Sequence, residues 1–263
     1  WFYLGKLLWP MNLIFVYPRW QISQGVWWQY LFPLAAIGAL ALAWRVRTST
    51  RAPLAALLIF GGVLFPALGF FNVYPFRFSF VADHFQYLAS LPILALIGAG
   101  LATAGTRSFD STRVPAAGAL VLGGVLGTLT WLQSRQYVDG ETLYRETIAR
   151  NPGAWMAYNN LGALRLESGG DAKEAAALIE DSLRIYSDNA EAHNNLGVAF
   201  QRLGRLDDAE NQHREAMRLF PTYAEAYNNL GIVAEQQGRL EEAIKYYTTA
   251  LTLQRHERNR AES

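Results

Sequence analysis

The chain has 263 residues, 51% of them apolar, with 23 basic and 22 acidic side chains and no cysteine. Without cysteine there is no disulfide framework and no thiolate metal site, and the four histidines (His84, His193, His213 and His256) are too scattered to build a metal centre. The near-neutral total also lacks the basic stripe of a nucleic-acid binder. The average hides an asymmetry: residues 1–134 carry 8 Lys/Arg and 2 Asp/Glu, whereas residues 135–263 carry 15 and 20, which marks two physically different halves. The sequence opens on Trp1 inside an apolar run, with neither an initiator Met nor a basic signal-peptide start, and reads as the C-terminal piece of a longer protein.

Residues 1–25 are apolar and aromatic but broken by Lys6, Pro10, Asn12, Pro18 and Arg19, which suits an interfacial or re-entrant segment better than a straight span. Four uncharged runs follow, at 26–44, 53–71, 87–104 and 114–132. A helix rises about 1.5 Å per residue, so roughly 20 apolar residues cross the ~30 Å hydrocarbon core of a bilayer. The spacing therefore predicts a four-helix transmembrane region over 26–134. Glycines and prolines inside the runs (Pro33, Gly61, Gly62, Pro66, Gly123, Gly124, Gly127) and aromatics at their ends (Trp27, Trp28, Trp44, Phe70, Phe71, Tyr74, Trp131) fit membrane helices. Arg45, Arg47 and Arg51 in one connecting loop, with Arg107 and Arg113 in another, assign those loops to the cytoplasm. The 72–86 loop and everything after Leu132 then lie on the opposite side, an arrangement expected of an integral protein of a bacterial inner membrane with an extracytoplasmic C-terminal half.

From about Asp139 the sequence becomes self-similar. Asn-Asn-Leu-Gly occurs at 159–162, 194–197 and 228–231, spaced 35 and then 34 residues. Around the second copy stand Leu196, Gly197, Phe200, Gly204, Ala209, Ala216 and Pro221; around the third, Leu230, Gly231, Gly238, Ala243, Tyr247 and Ala250. This period and pattern resemble the tetratricopeptide repeat, a pair of antiparallel helices that stacks into a solenoid. In the first copy Leu161, Gly162 and Ala175 fit after one extra residue at Gly169-Gly170, and Ser182 and Ser187 replace the usual Ala and Pro. Small residues are expected where paired helices approach, Gly197 against Ala209 and Gly231 against Ala243. Three repeats occupy 154–257. Residues 135–153 form a linker and capping helix, Thr147 and Pro152 aligning with Ala216 and Pro221, and 258–263 form a polar, frayed tail.

Asn160, Asn195 and Asn229 recur at one position of each first helix and are expected along the concave face, with Asn159, Asn194 and Asn228 doubling the row. An amide donates and accepts, so such a row can hold an extended peptide without reading its sequence. The amides could equally solvate the surface or bond within the helices. Neighbouring Glu191, Gln201, Arg202, Glu225, Glu235 and Gln236 mix signs, which indicates no strongly charged ligand.

A second constellation is Val81-Ala82-Asp83-His84-Phe85-Gln86-Tyr87-Leu88-Ala89-Ser90, before the third predicted span. With LLWPMNLIFVYP near the start, it resembles polytopic proteins that join a glycosyltransferase-C membrane domain to C-terminal tetratricopeptide repeats, among them the protein O-mannosyltransferases of the endoplasmic reticulum. The resemblance implies sugar transfer from a polyprenyl-phosphate donor to a protein hydroxyl, with Arg77, Asp83 and His84 placed to contact donor phosphate or sugar. His84 stands where eukaryotic relatives usually carry Arg, and only a protonated imidazole pairs phosphate. The plainer reading has Asp83 capping a helix and His84 snorkelling. The family's essential acidic pair lies in a first extracytoplasmic loop that this chain does not reach, so it offers no catalytic residue and is expected to be inactive alone.

The sequence thus describes an all-α protein, polytopic transmembrane helices followed by a tetratricopeptide-repeat α-solenoid, with no cofactor and no metal. Its expected partners are the lipid bilayer, a protein or peptide on the concave face and, by resemblance, a polyprenyl-phosphate sugar; nucleic acid is excluded. The leading function is the C-terminal portion of a membrane glycosyltransferase-like protein whose repeats capture acceptor. The alternative is a non-catalytic membrane-anchored scaffold for envelope protein complexes.

Overall fold

The fold is that of a computed structural model, which describes residues 1–8, 13–18, 23–65, 87–108 and 113–261. Among the described residues all regular structure is helical, and the chain divides into two compact units, Trp1–Val138 and Asp139–Ser263.

The first unit contains α1 (Phe2–Leu8), α2 (Leu31–Val46, entered through a 3-10 turn at Trp27–Tyr30), α3 (Ala52–Leu64), α4 (Tyr87–Ser108) and α5 (Arg113–Ser134). Pro53 sits in the first turn of α3, where a missing N–H costs nothing. Tyr3, Ile14 and Tyr17 are buried with Leu64 and Ala89, so described parts of 1–25 pack on α3 and α4. Two stretches, Trp27–Val46 and Ala116–Ser134, are long and apolar enough to cross a bilayer; Ala52–Leu64 and Leu88–Thr103 are apolar but shorter. The run expected across 53–71 is helical to Leu64, and residues 66–86 lie outside the described residues.

Both long helices turn their apolar side chains outward: Leu34, Ile37 and Leu42 on α2, and Val121, Val125 and Leu120 (79% exposed) on α5. A core helix of a water-soluble protein hides such residues. The Thr103 and Thr128 hydroxyls donate to the carbonyls of Ala99 and Gly124, each at 2.8 Å, which satisfies them without water. At the C-terminal end of α2, Arg47 stacks 3.8 Å from the Trp44 ring and donates to the Trp44 carbonyl, a favourable place for a cation.

The second unit is a stack of α6 (Gly140–Arg150), α7 (Trp155–Glu167), α8 (Ala172–Ile185), α9 (Ala190–Arg202), α10 (Leu206–Leu219), α11 (Ala224–Gln236) and α12 (Leu240–Ala261). Helices α7/α8, α9/α10 and α11/α12 pack as antiparallel pairs; each first helix also packs on the preceding second helix, and α9 lies against both α7 and α11. Contact between successive first helices makes their row the inner side of the stack. Three glycines close the pairs: Gly169, Gly204 and Gly238 have φ of 72°, 73° and 77°, and the following N–H returns to the carbonyl of Arg165, Phe200 or Ala234. The first turn spans 168–171 rather than three residues, which is where the extra residue falls. The core runs through Leu166, Ile179, Leu196, Phe200, Ala209 and Val233.

Two substitutions in the repeat pattern have local partners. Ser182 is fully buried and donates to the Trp155 carbonyl at 2.8 Å, and Thr147, aligned with Ala216, donates to the Leu143 carbonyl at 2.7 Å. Helix α6 is clasped to the first repeat by Arg145 and Arg165, which bridge Glu141 and Glu174. Asp139 caps α6 by accepting from the Thr142 N–H at 2.7 Å, a bond that lowers its carboxyl pKa.

The repeat glycines make room for a large side chain of the paired helix: a methyl at Gly197 would stand 2.5 Å from Cε1 of His213, one at Gly231 2.5 Å from the Tyr247 ring, and one at Gly162 2.5 Å from Ile179 and 3.1 Å from the Ala175 carbonyl oxygen. Helix α12 continues to Ala261, into the residues expected to form the polar tail.

Candidate functional site

The six asparagines split into two roles. Asn159 and Asn194 are only 1% and 0% exposed and do not add an open row to the groove. They lie between successive first helices and connect them. Asn195 Nδ2 donates to Asn159 Oδ1 at 3.1 Å, while Asn159 Nδ2 donates to Glu191 Oε1 at 3.1 Å. One repeat on, Asn229 Nδ2 donates to Asn194 Oδ1 at 3.0 Å and Asn194 Nδ2 to Glu225 Oε1 at 3.1 Å. The same two bonds therefore close both interfaces between repeats, and a buried amide needs such partners. Asn160 reaches back to the Tyr144 hydroxyl of α6 at 3.4 Å.

Asn160 and Asn195 are half-buried, Asn229 is buried with 8% of its surface exposed, and Asn228 is exposed. Among the described residues, no protein group donates to Oδ1 of Asn195 or of Asn229. These carbonyls remain open acceptors beside a second amide proton. Asn228 is exposed because no repeat follows it among the described residues.

His213 and Tyr223 support the row from behind. His213 is fully buried against Gly197; its Nδ1 lies 3.0 Å from Asn194 Oδ1 and its Nε2 3.3 Å from Gln201 Oε1. Burial pulls its pKa down to about 4, so the ring is neutral and its single N–H donates to one of these two amide oxygens. Tyr223 donates to Glu225 Oε2 at 3.4 Å; burial, with the nearby Glu225 and Glu191 carboxylates, raises its phenol above the ordinary value. In sequence the paired glutamates appear only as part of a mixed-charge surface; their recurrence 34 residues apart, each four residues before an Asn of the ladder, is the signal that marks them. His213 carried no such signal.

Arg77, Asp83 and His84 lie outside the described residues. Among the described residues no group of His, Asp and Glu is placed to hold a metal ion.

Residues 156–222 and 188–256 match the tetratricopeptide repeat family model, together covering 156–256. No curated protein matches the chain. Among solved structures, a crystal structure of MamA is 20% identical over 45% of this chain and 69% of its own, with a TM-score of 0.42. The structure MamA MSR-1 C2 is 25% identical over 44% and 67%, with a TM-score of 0.39. The second TPR of Spaghetti (RPAP3), bound to the HSP90 peptide SRMEEVD, is 21% identical over 38% and 91%, with a TM-score of 0.36. Residues 156–256 thus match the tetratricopeptide repeat model and fold as stacked helix pairs; neither finding supports the glycosyltransferase-C reading.

Proposed function

We propose that this protein is a membrane-anchored, non-catalytic interaction scaffold. The apolar helices of residues 26–134 hold it in a bilayer, and its repeats stand on the side opposite Arg45, Arg47 and Arg51, where their inner face binds an extended segment of a partner protein. The row of amides at a fixed repeat position carries this reading. Asn160, Asn195 and Asn229 offer peptide-like donors and acceptors at solenoid spacing, with Asn228 extending the row, while Asn159 and Asn194 fix the register of their neighbours. Such contacts address the backbone of a bound chain and leave its sequence largely unread. The outward apolar faces of α2 and α5 support the anchor.

Sugar transfer does not enter this proposal, because the residues that resemblance assigned to a donor, Arg77, Asp83 and His84, have no described geometry.

The test is fluorescence anisotropy of the detergent-solubilised chain with labelled unstructured peptides of scrambled sequence. Binding of similar strength to several scrambles is expected. Asn195→Ala should weaken it several-fold while the helical circular-dichroism signal stays unchanged. Affinity untouched by Asn195→Ala, or confined to one sequence, contradicts the backbone-holding role.

A further inference from the structure

Arginine neutralises carboxylates on each of α6, α8, α10 and α12: Arg150 pairs with Glu146, Arg184 with Asp181, Arg218 with Glu215 and Arg239 with Glu242. The inner helices differ. Glu191 of α9 and Glu225 of α11 are exposed and, among the described residues, have only neutral partners: the Asn159 amide for Glu191, and the Asn194 amide and Tyr223 hydroxyl for Glu225. An ionised carboxylate accepts about four hydrogen bonds, so each keeps capacity and a full charge. Glu191 has a repeat on either side, so this opening does not come from the end of the stack.

Each carboxylate stands one helical turn before an amide of the row, Asn195 or Asn229, and half-buried Val198 and Ile232 lie three residues beyond those amides on the same face. The inner face is therefore graded across its width, from carboxylate through amide to aliphatic. Arg202, which mixes the signs in sequence, lies eleven residues along α9 from Glu191, and its guanidinium donates to the Leu166 carbonyl. That separation is about 16 Å, beyond the ~8 Å screening length of physiological salt. Between acid and aliphatic edges, Oδ1 of Asn195 and of Asn229, the latter only 8% exposed, has no protein donor among the described residues.

We propose that the extended segment held by the amide row is basic, with Lys or Arg side chains paired to Glu191 and Glu225 and aliphatic groups laid on Val198 and Ile232. This rests on the scaffold reading above and adds the chemistry of its partner. Carboxylates on neighbouring helices stand about 10 Å apart, a distance that roughly three extended residues span. Among the described residues no acids are grouped to hold a metal ion there instead. Flexible lysine stems reach either carboxylate from several registers, so the preference is for composition and not for order.

The experiment measures anisotropy of the detergent-solubilised full chain with three labelled unstructured peptides, identical except that their variable positions are all Lys, all Gln or all Glu. At low salt the Lys peptide should bind about tenfold more tightly than the Gln peptide and the Glu peptide more weakly than either, and added salt should shrink the difference. Glu191→Gln with Glu225→Gln keeps an acceptor for Asn159 and Asn194 and should bring the Lys-over-Gln ratio to about one. Glu180→Gln with Glu241→Gln, an equal change of charge at exposed positions on α8 and α12, should leave the ratio near tenfold. Lys and Gln peptides that bind alike, both weakened by Asn195→Ala, would overturn the basic preference and leave the scaffold standing; binding of none of the peptides would overturn both. A Lys advantage that survives the inner pair of substitutions, or that the outer pair removes as fully, also overturns the proposal.

Discussion

At the scale of single residues, the repeats are fixed by what stands behind each invariant-looking glycine. Gly197 and Gly204 are both conspicuous in sequence, yet they act differently. Gly204 supplies a φ of 73°, whereas Gly197 supplies space for the His213 ring. Gly197→Ala forces overpacking and should cost about 1–3 kcal/mol, read as a lower midpoint of denaturant unfolding. His213→Ala should recover part of that loss in the Gly197→Ala background but none in Gly204→Ala, whose cost is backbone strain of about 1–2 kcal/mol. Equal recovery in both would show that the ring is not the obstacle. The same histidine sets a pH dependence. Its folded pKa, about 4, lies below the usual value near 6.5, so its contribution is complete above pH 6.5. As pH falls from 6.5 towards 4, the unfolded state takes up the proton that the folded ring refuses, and up to about 3 kcal/mol is lost. Unfolding midpoints from pH 8 to 4 should show this slope in the parent and a shallower one in His213→Gln.

At the scale of elements, the two units differ in which faces they hide. In the stack each second helix hides its small-residue face against its partner, and each interface closes with the Asn–Asn and Asn–Glu pair described above. Helix α5 has no such hidden face: its leucines and valines point outward around much of its circumference. In the proposed function that surface faces lipid. Arginine at Leu122 and Val125, near the middle of Ala116–Ser134, should each cost about 2.5–3.5 kcal/mol of insertion free energy. The double variant should fail to retain α5 in the membrane, as read by glycosylation acceptor sites on either side of it; unchanged insertion would mean that α5 is not a span.

How far these elements were legible from sequence varies for physical reasons. A 34-residue period repeats because each interface reuses the same close approach, so Asn-Asn-Leu-Gly located all three first helices. The side chain opposite each glycine could not be read, because Ile179, His213 and Tyr247 fill that place with different chemistry and share no signature. The division of labour within Asn-Asn was also hidden. Both amides look alike in sequence, but consecutive residues lie about 100° apart around a helix, so Asn159 and Asn194 turn into the interface between first helices while Asn160 and Asn195 stay half-open. Uncharged runs located the apolar helices because hydrocarbon excludes charge over a whole span, but they say nothing of which faces touch.

At the scale of the whole molecule, the proposal joins a lipid-facing unit to a water-facing stack whose inner row holds polypeptide on one side of the membrane. The absence of cysteine makes that arrangement directly readable. Ser49, exposed in the loop after α2, and Ser168, exposed in the first repeat turn, can each be replaced by a single cysteine. In intact bacterial spheroplasts, a membrane-impermeant maleimide should label Ser168→Cys at once and Ser49→Cys only after the membrane is permeabilised. Immediate labelling at Ser49 with protection at Ser168, or labelling of both without permeabilisation, contradicts a membrane-anchored scaffold whose repeats stand outside the cytoplasm.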